Sequence, residues 1–140
     1  LGTMKLLLEQ WRGYLKENEM DTSSRIMKAA KFLYEDDPDW FQGGCADVSM
    51  VIEMAAKQAG LDGVRVVSGM AQSAPDRQMV RHAWLEVGDR RVDPTWETIF
   101  GKQGISYEEE SGSFNCFGVE EEDLDWKVEV IVPILSGGEQ

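Results

Sequence analysis

The spacing of apolar residues changes at Gly60, and this change restricts the chain to one class of fold. Before it, Ile26, Ala29, Ala30 and Leu33 recur at i, i+3, i+4 and i+7, and Val48, Val51, Ile52, Ala55 and Ala59 line one face of a second helical repeat. After it, the apolar segments are short and β-branched: Val64-Arg65-Val66-Val67, Val80 to Val87, Arg90 to Trp96 and Trp126 to Ile134. Helices followed by strands predict an α+β domain with an antiparallel sheet. With 140 residues and 42% apolar content, the chain can build one core but not two ordinary domains.

The helix boundaries carry their own signals. Leu7, Leu8, Trp11, Tyr14 and Leu15 predict a first helix from Met4 to Glu17. Asp21-Thr22-Ser23-Ser24 is rich in N-cap residues and opens a second helix that ends near Asp36-Asp37-Pro38. A loop through Trp40 and Gly43-Gly44 leads to a third, which starts at Cys45 and stops at Gly60. Ala71 to Met79 and the acidic Glu108 to Gly118 read as loops. The expected single domain is 4–135, with Leu1-Gly2-Thr3 as a cloning remnant and 136–140 as a flexible tail.

Composition narrows the partners. A net charge of −12 argues against nucleic acid or an anionic membrane, because binding phosphate needs clustered Lys and Arg. A neutral or cationic substrate fits this charge better. Two cysteines and one histidine make neither a disulfide scaffold nor a zinc site, so no metal or cofactor is expected and a reducing, cytoplasmic setting is. Glu108-Glu109-Glu110 and Glu120-Glu121-Glu122-Asp123 read as solvated charge rather than a metal site. No apolar run approaches the ~20 residues of a membrane span.

Three residues stand out for their chemistry. Cys45 opens a helix, where unpaired backbone N–H groups favour an ionised sulfur and its own N–H can meet an oxyanion. Asp47, two residues on, opposes that ionisation. His82, the one histidine, lies on the strand Arg81-His82-Ala83-Trp84-Leu85-Glu86-Val87. Gly88-Asp89 predicts a two-residue hairpin turn, since glycine supplies the positive φ that such a turn needs. Register then follows: Trp84 opposes Asp93, His82 opposes Thr95, and alternation gathers His82, Trp84, Glu86, Arg91, Asp93 and Thr95 on one face, with Asp93 diagonal to His82. Ala83, Leu85, Val87 and Val92 form the other, apolar face. If the third helix brings Cys45 to this hairpin, the imidazole can take the thiol proton while Asp93 sets its tautomer and holds the resulting cation.

With these motifs in hand, the segment from Gly43 to Trp96 resembles the transglutaminase-like superfamily of papain-like thiol enzymes. The resemblance rests on the glycine-preceded Cys45, on His82-Ala83-Trp84-Leu85-Glu86-Val87, on Val92-Asp93-Pro94-Thr95 and on the intervening Gly63 to Gly69. It implies a Cys45 nucleophile, a His82 base and an Asp93 orienting group, acting through a thioester on a peptide or glutamine amide of a peptide or protein substrate. Calcium ligation, found in larger members, has no recognisable loop here. Gln42, Trp40, Gly44 and Trp84 are the candidates for oxyanion stabilisation and substrate binding.

Protease, deamidase and transglutaminase-type outcomes share the thioester and stay open, as does oligomeric state. The alternative from another class is a binding or assembly module that keeps the fold without catalysis, with Trp11, Trp40, Trp84, Trp96 and Trp126 available for a surface. Cys116, in Phe114-Asn115-Cys116-Phe117, lacks a helix start and is expected to be dispensable.

Overall fold

The computed structural model describes residues 22–73, 78–101, 104–109 and 121–137. The expected helix at 4–17, Cys116 and most of the acidic loop lie outside these residues. Helix α1 (22–36) puts Ile26, Ala29, Ala30 and Leu33 at full burial, as their spacing demands. A 3-10 turn, Pro38–Phe41, leads to α2, Cys45–Gln58. At the end of α2, Gly60 adopts φ 80°, and the Leu61 N–H reaches Ala56 O at 2.9 Å while the Gly60 N–H reaches Lys57 O at 3.1 Å. This left-handed cap satisfies carbonyls that the helix leaves open.

Strands β1 (Val64–Ser73), β2 (Met79–Val87), β3 (Arg90–Val92) and β4 (Ile105–Glu109) form one antiparallel sheet in the order β3-β2-β1-β4. The domain is α+β, as the change of period predicted. The β2–β3 hairpin has the expected register: Val87 pairs with Arg90, Glu86 with Arg91 and Leu85 with Val92. Gly88 takes φ 60° in its turn. Val64, Leu85 and Val92 join the helices' apolar residues in one core. No described helix is long and apolar enough to cross a membrane.

Four expectations are corrected. Trp126 to Ile134 is not a strand but the body of α4, Glu121–Leu135, and Leu124, Val128, Ile131 and Leu135 bury at helical spacing. Burying each such side chain is worth roughly 1.5–3 kcal/mol, more than the ~1 kcal/mol span of strand propensities that a run of valines and isoleucines can bring. The segment Arg90 to Trp96 is strand only to Val92; Asp93 caps a helix, α3 (Pro94–Phe100), so Thr95 does not pair with His82. Pro94 at the first helical position and Glu97 in the first turn mark that start. Finally, Glu108 and Glu109 belong to β4 rather than to a loop, and β1 and β2 extend into the predicted Ala71 to Met79 loop at both ends.

The helical layer is tied together by Lys127 of α4, whose residue is 6% exposed. Its ammonium lies 4.1 Å from the Trp40 ring centroid, 5.2 Å from that of Trp126 and 3.6 Å from Asp37 Oδ2. A buried cation of this kind persists only when partners surround it.

Close backbone approach defines the sheet's centre. A Cβ on Gly69 would lie 2.1 Å from Glu108 O, so β4 can pair here only with glycine. The change Gly69→Ala is expected to lower stability by at least the ~1–3 kcal/mol of an overpacked site. Chemical denaturation measures the loss, and an unchanged midpoint would show that β4 does not depend on that approach.

Candidate active site

Cys45 is the first residue of α2, so its amide has no partner within the helix. Gly44, the N-cap, is buried against the preceding turn, where a Cβ would stand 2.0 Å from Trp40 O. The two-glycine entry therefore lets the turn close onto the helix end. Cys45 is partly exposed, and its side chain is close enough to His82 to act on that ring's protonation.

His82 comes from β2 and Asp93 from the junction of β3 and α3. The two-residue turn sets their relation, and His82 Nε2 meets Asp93 Oδ2 at 2.6 Å. With Nε2 engaged, Nδ1 is the ring nitrogen left for the thiol. Asp93 is fully buried and satisfied from four directions. Oδ1 accepts from the Trp96 amide at 3.1 Å and the Thr95 hydroxyl at 3.2 Å. Oδ2 accepts from His82 and from the Tyr107 hydroxyl at 2.7 Å. Glu97 completes the cap by accepting from the Asp93 amide.

Tyr107 belongs to β4, two strands from His82, yet the rings are 6.3 Å apart. The strand between supplies the space. His82 pairs with Gly69, and Tyr107 pairs with Ala71, so β1 carries no large side chain under either ring. Trp84 closes the rear, 6.1 Å from the His82 ring and 4.8 Å from that of Tyr107. The Arg91 guanidinium stands 4.2 Å from the Tyr107 centroid.

Charge follows from this geometry. Burial disfavours a cation on His82, but hydrogen bonds and charge from Asp93 and Cys45 outweigh it and push the pKa up to about 9. Burial, then the neighbouring Asp93 charge, raises the Tyr107 hydroxyl well above its ordinary range, so it remains a donor.

The residues singled out from sequence thus divide. Cys45, His82 and Asp93 meet. Gly44 shapes the entry, and Gln42 is exposed at the end of the 3-10 turn. Trp40 is part-buried beneath Lys127. Trp84, at 1% exposure, is a wall of the site with no surface to offer a substrate. Asp47 is buried in the first turn of α2. Tyr107 and Glu97 are not singled out by the sequence, and Thr95, expected opposite His82, bonds Asp93 instead. The alternation Ile105-Ser106-Tyr107-Glu108 and the helix-start signature Asp93-Pro94-Thr95-Trp96-Glu97 are the signals that mark them. Comparison with protein families, curated proteins and solved structures gives no match.

Because the folded pKa of His82 lies above its ordinary value of 6.5, its charge stabilises the fold fully below pH 6.5, and that contribution is lost as pH rises through about 9. One histidine gives one imidazole resonance, so NMR titration reads this group alone. The midpoint is expected near 9 and should fall in both Cys45→Ala and Asp93→Asn. A wild-type midpoint at 6.5 would rule out the paired cation.

Proposed function

We propose that this chain is a cysteine-dependent amide hydrolase or acyltransferase, of protease, deamidase or transglutaminase type, with a papain-like, transglutaminase-like arrangement of Cys45, His82 and Asp93. The observation that carries the reading is the 2.6 Å contact between His82 Nε2 and Asp93 Oδ2, with Cys45 close enough to act on the same ring.

In the proposed reaction the Cys45 proton already rests on His82, as a thiolate–imidazolium pair, and Sγ attacks the carbonyl carbon of a peptide or glutamine amide. As the C–S bond forms, the carbonyl π pair moves to oxygen, where the Cys45 N–H can meet it. Gln42, exposed three residues before Cys45 in the chain, is the proposed second donor. Collapse breaks the C–N bond, and the departing amine takes the proton from His82. Water or an amine then attacks the thioester, giving its proton to His82, and the thiolate leaves, which restores its pair with the protonated ring. Asp93 holds the ring through Nε2 throughout.

Cys45→Ala should abolish turnover of a peptide or glutamine-amide substrate, while Cys116→Ser should retain it within about a few-fold. Asp93→Asn should keep the fold and lose roughly 10- to 10⁴-fold in turnover. Cys45 should be alkylated near neutral pH much faster than Cys116, and slow alkylation with no turnover of any amide would favour a binding module on the same fold.

A further inference from the structure

Asp93 is held twice over. Its Oδ1 accepts from the Thr95 hydroxyl and the Trp96 amide, and two bonds to that oxygen already fix the carboxylate's rotation. The Tyr107 hydroxyl is therefore not needed for orientation. It goes instead to Oδ2, at 2.7 Å, the oxygen that His82 Nε2 meets at 2.6 Å.

We propose that Tyr107 is a positioning residue that shares Asp93 Oδ2 with His82 and thereby limits how tightly Asp93 holds a protonated imidazole. Two donors on one oxygen compete for the same negative charge, so each bond is weaker than it would be alone. The ring is placed for this role, between Trp84 at 4.8 Å and the Arg91 guanidinium at 4.2 Å, across the gap left by Gly69 and Ala71. Arg91 draws electron density from the phenol and strengthens its O–H as a donor. Burial keeps the proton on it.

The charged groups facing this centre come from four directions. Cys45 approaches His82 from α2, Asp93 precedes α3, Glu97 acts on Tyr107 from α3, and Arg91 reaches over from β3. Among these, Tyr107 is the neutral donor that touches the same oxygen as the imidazole. A cation held too tightly is slow to return its proton to a leaving amine, whereas one moderated by competition can both accept and release it. The consequence for turnover rests on the proposed triad; the sharing of Oδ2 does not.

The test is Tyr107→Phe in the full chain, which keeps the ring and its packing and removes only the hydroxyl. With Oδ2 left to His82 alone, the NMR titration midpoint of His82 should rise by about half a unit to one unit, the size of one hydrogen bond's net contribution. An unchanged or lowered midpoint would overturn the proposal. On an amide substrate, kcat should fall several-fold with KM held within about two-fold. If no amide is turned over, the triad reading fails while the midpoint still decides the sharing. Replacing the chain's three tyrosines by a fluorinated, more acidic tyrosine provides the opposite perturbation. A stronger donor should lower the His82 midpoint, and this keeps the test decisive if the phenylalanine variant does not fold; no movement there would also overturn the sharing.

Discussion

The site depends on a carboxylate removed from water. Asp93 is fully buried, and an ion in that position costs several kcal/mol unless hydrogen bonds replace its hydration. Four donors do so, and they come from β2, β4 and the first turn of α3. One side chain thus links the strand that carries His82, the edge strand that carries Tyr107 and the helix that it caps. Satisfying Asp93 and assembling the site are the same structural event.

Two close approaches of backbone make this geometry accessible. At Gly44 the carbonyl of Trp40 occupies the position a Cβ would need, which presses the 3-10 turn onto the end of α2. At Gly69 the carbonyl of Glu108 does the same between β1 and β4. The first sets the entry to Cys45 and the second brings Tyr107 within reach of Asp93. Lys127 adds a third constraint, since its stacking on Trp40 couples α4 to the turn that precedes Cys45.

The electrostatics divide labour in a way that suits the proposed chemistry. Asp93 supplies a negative charge behind the ring, and Cys45 acts on the same ring. Tyr107 remains neutral and donates. Arg91 contributes the nearby positive charge without touching the imidazole, resting on the Tyr107 ring in a chain whose net charge is −12.

Much of this was legible from local pattern. The helical stripes of α1 and α2, the stop at Gly60, the two-residue turn at Gly88-Asp89 and the resulting neighbourhood of His82 and Asp93 all follow from periodicity and turn chemistry, which act over a few residues. The sequence by itself therefore determined the α+β class, the place of Cys45 at a helix start and the neighbourhood of His82 and Asp93. It misassigned Trp126 to Ile134 because a β-branched run reads as strand until a core is present to reward helical burial of Val128, Ile131 and Leu135. It ran β3 on to Trp96 because the capping role of Asp93 competes with strand continuation. Only the tertiary structure decided that Tyr107 reaches Asp93, because that contact crosses an intervening strand and needs Gly69 and Ala71 to leave the way clear. No local pattern encodes a gap between strands; it exists only once the sheet is assembled.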